Sequence, residues 1–298
     1  MNLIERAARR LGPGPGAPAA PNTAELLTPP PANFGVEPPA PSASTRGRQT
    51  QRQVGILDRL RTLGYATPGT GSPLAEEFRL IKRPLLDTAF SRSPMREHNA
   101  HLIMVTSAGP REGKTFTSLN LALSMASEHD VNVLLIDADV IHPSIPKVLG
   151  FDADLGMIDV VADPTIQLPD VLVRTDIENL SLLPAGRHTH LANELIASTR
   201  MERFISDIST RYADRIIIFD SPPVLARTEA TVLARHVGQI VFVVEAERTT
   251  KNAVKDSLHL IDRPYVRMVL NKVPAALARD GFGQYGYYYD RGDGRAAS

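Results

Sequence analysis

Residues 102–115 read Leu-Ile-Met-Val-Thr-Ser-Ala-Gly-Pro-Arg-Glu-Gly-Lys-Thr, an apolar run followed by a loop that ends in Gly113, Lys114 and Thr115. A strand, a glycine-containing loop and a helix in this order are typical of a phosphate-binding loop, because backbone N–H groups of the loop and of the helix N-terminus can hold phosphate oxygens. Lys114 would reach the β- and γ-phosphates, and Thr115 would offer its hydroxyl to Mg²⁺. Ala108 stands where the usual spacing has its first glycine, and a tight turn that binds nothing is the alternative.

Two further apolar runs each end in carboxylates. Asp137 and Asp139 follow one run, and Asp220 follows Ile216–Phe219. Such residues at the carboxyl ends of neighbouring parallel strands lie beside the phosphate-binding loop. Two like charges at this distance require a cation or a proton, so the pair predicts a metal ligand or a general base, with a solvated turn as the alternative. Asp220 would help to hold the metal or its water shell.

The three motifs together favour Mg-ATP as the ligand. We expect Asp139 and Asp220, with Thr115, to form the metal environment and Asp137 to be the candidate base, although the roles of Asp137 and Asp139 could be exchanged. The residues expected to contact the nucleotide are Gly109, Pro110, Arg111, Glu112, Gly113, Lys114, Thr115 and Phe116, together with Asn271 after the last strand.

Around these motifs, short apolar runs alternate with helical stretches, which is typical of a parallel sheet covered on both faces. The predicted strands are Leu102–Thr106, Val131–Ile136, Leu180–Leu183, Arg215–Phe219, Gln239–Val244 and Arg267–Leu270. The predicted helices are Thr115–Glu128, Leu191–Ala213, Glu229–His236 and Asn252–Ile261. The fold class is therefore α/β, a doubly wound and mostly parallel sheet.

Upstream of this domain, a helix is expected within Arg46–Arg61 and another across Ala75–Phe90, which Pro84 should kink or end. Ten of the 24 prolines lie in Pro13–Pro41, so this segment predicts a disordered tether, preceded by a possible short helix at Met1–Leu11.

Composition excludes several classes of protein. The chain has 298 residues with 33 Lys+Arg and 33 Asp+Glu, so a general nucleic-acid binder is not expected. It has no cysteine, which excludes disulfides, thiolate zinc sites and cysteine nucleophiles. No apolar run approaches the length of a membrane helix, and the N-terminus lacks the apolar core of a secretory signal. We therefore expect a cytoplasmic protein.

With these motifs in place, the chain resembles the bacterial tyrosine autokinases of exopolysaccharide biosynthesis, above all their exosortase-associated branch. The resemblance covers about residues 74–286 and implies a P-loop fold of the deviant Walker, MinD-like type. It rests on the phosphate-binding loop, the Ile-Asp-Ala-Asp-Val stretch with its later Pro-Ser, the Asp-Ser-Pro-Pro stretch at Asp220, Leu183-Pro184-Ala185-Gly186 with Asn193-Glu194-Leu195, and Glu76-Glu77-Phe78-Arg79-Leu80-Ile81-Lys82.

The resemblance implies several expectations. Glu76 of one subunit would face Arg79 and Lys82 of a neighbour in a ring, although Lys82 replaces an arginine and bidentate pairing would be lost. A separate membrane chain-length-determinant protein would hold the kinase at the inner face of the cell membrane, and a tyrosine phosphatase would oppose it. The sequence departs from the family at His142, where an arginine is common nearby, and at Arg227–Ala230.

The C-terminal tail carries four of the seven tyrosines in a Gly- and Asp-rich stretch, which favours an accessible autophosphorylation segment over a packed aromatic cluster. These acceptors are Tyr285, Tyr287, Tyr288 and Tyr289. The expected regions are a disordered tail at 1–45, a kinase domain at 46–280 and the tyrosine-rich tail at 281–298. The competing hypotheses are a partitioning or septum-positioning ATPase of the same fold, and a nucleotide-gated scaffold with negligible phosphate transfer.

Overall fold

The apolar run that precedes the glycine loop forms a fully buried strand near the middle of an eight-stranded sheet. The structure, a computed structural model, describes residues 53–69, 71–91, 98–189, 191–263 and 265–274. The two predicted tails and the four tail tyrosines lie outside these residues. None of the described helices is long and apolar enough to cross a membrane.

The described strands are β1 Gln53–Val54, β2 Leu102–Ser107, β3 Asn132–Asp137, β4 Val173–Thr175, β5 Leu180–Leu183, β6 Arg215–Asp220, β7 Gln239–Glu245 and β8 Val266–Asn271. Their order across the sheet is β1-β4-β5-β3-β6-β2-β7-β8, and every pair is parallel except β4 with β5. The predicted mostly parallel sheet is confirmed. Because β2, β3 and β6 are adjacent, the loops that leave their carboxyl ends meet at one edge.

The described helices are α1 Leu57–Thr62, α2 Pro73–Ala89, α3 Lys114–Ala126, α4 Ile145–Leu149, α5 Met157–Ala162, α6 Leu168–Val171, α7 Ala192–Ile196, α8 Thr199–Arg211, α9 Thr228–Ala234 and α10 Lys251–Ile261. Buried apolar side chains form one cluster on each face of the sheet. Helices α1 to α4 pack on one face, and α5 to α10 pack on the other. This two-sided cover is the predicted doubly wound arrangement.

Helix α2 continues past Pro84 for a total of 17 residues, which corrects the expectation that Pro84 could end it. Proline removes the N–H that would bond to the carbonyl of Leu80. Leu80 is 72% exposed, so water can reach that side of the helix. The carbonyl of Pro84 itself accepts from Thr88 Oγ1 at 2.8 Å and from the Arg267 guanidinium at 3.2 Å, which fixes the second half of the helix to β8.

Two other elements differ from expectation. The predicted helix Leu191–Ala213 is two helices, because Ser198 leaves the helical conformation and its hydroxyl caps α8 by accepting from Met201 N. The helix expected within Arg46–Arg61 begins only at Leu57, after the short strand β1. Ile56 and Leu60 are fully buried in the apolar cluster on the face of the sheet where α1 packs, whereas Leu63 is 49% exposed.

Candidate functional site

The glycine loop between β2 and α3 has a left-handed backbone conformation at two of its residues. Arg111 and Gly113 have φ values of 65° and 103°, in the left-handed region. A Cβ at Gly113 would lie 1.9 Å from Asn271 Nδ2, so only glycine fits this position. Helix α3 begins at the next residue, Lys114, and its free N–H groups and dipole make the loop a candidate site for an anion.

The side chain of Lys114 folds back over this loop. It is 9% exposed, and its amine donates to Ser107 Oγ at 3.2 Å and to Gly109 O at 3.3 Å. Burial lowers the pKa of Lys114, whereas the negative charges of Asp220, Asp139 and Glu112 act in the opposite direction. The amine is therefore a cation held among three carboxylates, with weak bonds that phosphate oxygens can replace.

Glu112 holds the loop from the inside. Its carboxylate accepts from Gly109 N at 2.8 Å and from the hydroxyl of Thr249, and the residue is 6% exposed. This contact joins the loop to the segment after β7. Because the Gly109 N–H already has an acceptor, any phosphate bound by this group must displace the Glu112 carboxylate.

Asp220 connects the loop helix to the end of β6. It accepts from Thr115 Oγ1 at 2.7 Å and from Ser118 Oγ at 3.0 Å, and Thr115 Oγ1 also lies 2.9 Å from Ser144 Oγ. Burial raises the pKa of Asp220 to about 6, although the two hydroxyls and Lys114 favour its ionised form. The structure thus brings together two of the predicted metal residues, Thr115 and Asp220.

Asp137 lies directly beside Asp220, its partner in the register between β3 and β6. Its Oδ2 accepts from the N–H groups of Ser144 and Ile145 at 2.9 and 3.0 Å, while its Oδ1 is buried and has no hydrogen-bond partner in the part of the chain that the structure describes. Burial, together with the charge of Asp220, raises the pKa of Asp137 to about 8. An unpartnered buried oxygen in a carboxyl group of this kind fits a site that receives a cation or a proton.

Asp139 is half-buried and lies two residues beyond the end of β3. Its Oδ1 accepts from His142 N at 3.0 Å. Burial raises the pKa of Asp139, whereas His142, Lys114 and Arg227 favour its ionised form. The three predicted acids therefore surround the loop, but Asp137 is enclosed and Asp139 is accessible. Within the described residues, no group of three or more histidine or acidic side chains is placed to hold a metal ion by itself.

The end of β8 supports the loop from the other side. Asn271 Nδ2 donates to Glu112 O at 2.9 Å, and Lys272 Nζ donates to Arg111 O at 2.7 Å and pairs with Glu245 at 3.2 Å. The structure therefore places the Asn271 amide on the loop backbone. The ring of Phe116 points to Tyr65 and Phe78, with centroid distances of 5.3 and 6.4 Å.

The predicted ring element on α2 is only partly at the surface, which corrects the expectation for Lys82. Lys82 is 5% exposed, and its amine donates to Ser124 O at 2.6 Å and pairs with Glu128 at 2.6 Å. It is therefore not available to a neighbouring subunit. Glu76 and Arg79 are exposed and form an ion pair within the same chain.

Three serines belong to the site although the sequence analysis did not single them out as site residues. Ser107 and Ser118 bond to Lys114 and Asp220, and Ser144 contributes both its N–H and its hydroxyl. Ser107 is the last residue of β2, directly before the loop, and Ser118 lies one turn after Lys114 in α3. Their spacing from Lys114 could therefore have identified both as site residues from the sequence. Ser144 follows a proline seven residues after Asp137, and only the fold brings it to Thr115.

Comparisons with known proteins agree with this geometry. The family model described as an AAA domain matches residues 102–272. The chain is similar to the putative tyrosine-protein kinase CapB of Staphylococcus aureus, at 29% identity over 221 residues, 73% of this chain and 91% of that protein. It is also similar to the tyrosine-protein kinase wzc of Salmonella typhimurium, at 31% identity over 206 residues, 68% of this chain and 28% of that protein.

Solved structures show the same fold. The chimerical protein CapA2B2 matches with a TM-score of 0.61 and 25% identity, over 75% of this chain and 93% of that chain. The kinase domain of VpsO matches with a TM-score of 0.55 and 28% identity, over 68% of this chain and 100% of that chain. The range matched by the family model includes the loop, the three acids and the strands that carry them.

Proposed function

We propose that this chain, which belongs to the AAA domain family, is a protein-tyrosine autokinase. It would transfer the γ-phosphoryl group of ATP to tyrosine residues of the same protein. The observation that carries this proposal is the junction of Thr115, Asp220 and Asp137 beneath the glycine loop. The relatives named tyrosine-protein kinases support phosphoryl transfer to tyrosine as its use.

The loop and Lys114 would bind the nucleotide. The N-terminus of α3 and the loop N–H groups would hold the phosphates. The amine of Lys114 would give up its hydrogen bonds to Ser107 and Gly109 and would bind β- and γ-phosphate oxygens instead. Asn271 and Lys272 would keep the loop backbone in place through Glu112 and Arg111. Gly109, Pro110 and the remaining loop residues would contribute backbone groups.

Thr115, Asp139 and Asp220 would hold Mg²⁺, the last two directly or through water. This set fits a hard cation, since all of its donors are oxygens and the carboxyl groups repel one another without one. When bound, the ion neutralises charge on the phosphates and keeps them in line.

Asp137 would act on the incoming phenol. Its pKa of about 8 means that the carboxyl is largely protonated at neutral pH when no cation is near. A cation beside Asp220 would lower this pKa, and the carboxylate could then accept the phenolic proton while the phenolic oxygen bonds to phosphorus and the bond to ADP breaks. The candidate acceptors are Tyr285, Tyr287, Tyr288 and Tyr289.

The biological setting is also part of the proposal. The relatives named tyrosine-protein kinases, together with the resemblance to the autokinases of exopolysaccharide biosynthesis, support a role in exopolysaccharide polymerisation or export. The expected partner is a separate membrane chain-length-determinant protein, and the expected antagonist is a tyrosine phosphatase. Glu76 and Arg79 are exposed on α2, where they could contact another subunit. The proposal includes a cytoplasmic location at the inner face of the membrane through this partner.

One experiment separates the kinase from an ATPase of the same fold and from a nucleotide-gated scaffold. The pure chain is incubated with Mg-ATP, and both its intact mass and the ADP formed are measured. Mass increases in multiples of one phosphate, absent in the Lys114→Met variant, are expected for the kinase. Release of ADP without added mass would indicate the ATPase, and no change in either would indicate the scaffold.

A further inference from the structure

Strand β8 forms one edge of the sheet and carries an uncovered apolar strip, defined by Met268 and Leu270. Among the described residues, β8 pairs with β7 alone. Met268 is 63% exposed and Leu270 is 48% exposed. An edge strand with free backbone groups and apolar side chains is a template for another strand, and folded proteins usually cover such an edge.

The backbone groups of β8 that have no partner among the described residues belong to the same residues as this strip. Ile240 N donates to Tyr265 O, and Ala246 N donates to Asn271 O, both at 2.9 Å, so odd-numbered residues around β8 face β7. Because backbone groups alternate in direction along a strand, those of Met268 and Leu270 turn away from β7. An added strand would therefore bond to these two residues, and its own side chains would lie over theirs.

The opposite face of β8 is already covered by other parts of the chain. The Arg267 guanidinium donates to Pro84 O at 3.2 Å and to Thr88 Oγ1 at 3.1 Å, both in α2. Val269 packs against the apolar cluster on that face of the sheet. The cover that β8 lacks is thus confined to the side of Met268 and Leu270.

The sequence that follows β8 has a pattern of side chains that matches this strip. Lys272, the first residue after β8, has a φ of 56°, which ends the extended conformation. In the tail that follows, Phe282 to Tyr289 are rich in aromatic residues, and Tyr285, Tyr287 and Tyr289 alternate, so they would share one face of a strand. Residues 272–281 are more than an antiparallel connection requires.

We propose that residues 282–289 add to β8 as an antiparallel strand, with Tyr285 opposite Leu270 and Tyr287 opposite Met268. In this register the tyrosine rings cover the apolar strip, and the tail backbone takes the outward N–H and C=O groups of β8. The tail of the same chain is favoured over a second copy, because its tether keeps it at high effective concentration beside β8.

In this arrangement the unphosphorylated tail is held on β8, and phosphorylation releases it. A phosphate on Tyr287 adds a charge of about −1.5 to −2 next to the apolar side chain of Met268, and a charge buried against an apolar side chain is costly. The release step rests on the proposed function, whereas the docking does not.

The test measures amide hydrogen exchange at Met268 and Leu270 in the full chain, treated with a tyrosine phosphatase and kept without nucleotide. Two variants are compared, Tyr285→Ser/Tyr287→Ser/Tyr289→Ser and the matched control Tyr288→Ser, which changes the opposite face of the tail strand. Exchange is expected to be at least about tenfold faster in the triple variant and to change less than about twofold in the control.

Equal exchange in the triple variant and in the wild type would overturn the docking. Protection that disappears on dilution would also overturn it, because a second copy would then be the occupant. Mg-ATP is added to the wild type in a second step, and phosphorylation should speed exchange at both amides. If no phosphate is incorporated there, the proposed function fails while the docking result stands.

Discussion

Thr115 Oγ1 donates a hydrogen bond of 2.7 Å to Asp220 Oδ2, joining two residues that are 105 positions apart in the chain. The contact places the first turn of the loop helix α3 on the end of β6, next to Asp137 in β3. Any ion that takes a ligand from Thr115 therefore enters the shared environment of two buried carboxyl groups. Five predictions examine this arrangement and its surroundings.

Replacing Lys114 with methionine should abolish phosphate transfer and weaken ATP binding by about two to three orders of magnitude, since the cation at the loop is lost. The substitution keeps most of the side-chain volume, so the fold should persist. Calorimetric titration with Mg-ATP and intact mass measure the two effects. Lys255→Met, at an exposed position of α10, is the matched control and should behave as wild type.

Asp137→Asn should reduce phosphoryl transfer far more than nucleotide binding. An asparagine oxygen can still accept from Ser144 N and Ile145 N, so the local structure is retained, but the side chain can no longer accept the phenolic proton. Single-turnover transfer and nucleotide affinity are measured on the same preparation. Equal losses in both would assign Asp137 to the metal or to structure instead.

Mg-ATP binding near pH 7 should release about one proton from the protein. The pKa of Asp137, raised from 3.8 to about 8, keeps this carboxyl mostly protonated in the free protein, and a cation favours its ionised form. Without ligand, the folded state keeps a proton on Asp137 between about pH 4 and pH 8, where the unfolded state has lost it. The free energy of unfolding should therefore fall as pH rises through this range. Titration calorimetry in buffers of different ionisation enthalpy counts the protons, and Asp137→Asn should release fewer.

Truncating the chain after Gly283 should remove most incorporated phosphate and leave ATP binding intact. The four tail tyrosines are lost, while Tyr65, Tyr212 and Tyr265 remain in or beside packed elements. The truncated protein should still phosphorylate the tail of a Lys114→Met partner, because a neighbour can present its tail to the active site. Phosphopeptide mapping decides the outcome, and phosphate found mainly on the three remaining tyrosines would contradict it.

Lys82→Met should lower the free energy of unfolding by about 1–3 kcal/mol, because Ser124 O and Glu128 lose the buried amine that joins α2 to the end of α3. Arg83→Met, on the exposed side of the same helix, should change it by less than about 0.5 kcal/mol. Denaturant unfolding measures both. Glu76→Ala is the complementary change, expected to alter self-association in sedimentation while leaving stability nearly unchanged.

Much of the fold could be predicted because the central strands are continuous apolar runs. The predicted strands at β2, β3, β5, β6, β7 and β8 agree with the structure to within one residue at each end. Strands β1 and β4 were missed, since two or three residues are too short to show a pattern. The helices α4, α5 and α6 were missed for the same reason, as each has at most six residues.

The site was predictable where chemistry depends on local spacing and was not where it depends on tertiary contacts. Lys114, Thr115 and Asp220 follow from motifs, and the structure brings them together. The burial of Lys82 did not follow, because a lysine among charged neighbours on a helix predicts a solvated side chain. Its partner Glu128 lies on the turn after α3, and only the packing of two helices creates the contact.

The support of the glycine loop by Asn271 and Lys272 also sets when the site can form during synthesis. Asn271 ends the last described strand and Lys272 follows it, whereas the loop that they hold was made about 160 residues earlier, as the separations of 159 and 161 residues show. A nascent chain that ends at α10 already contains the loop and all three acids, but the carbonyls of Arg111 and Glu112 still lack their donors. The loop therefore gains these supporting hydrogen bonds only after the final strand is made, so the proposed nucleotide site would be completed late in synthesis.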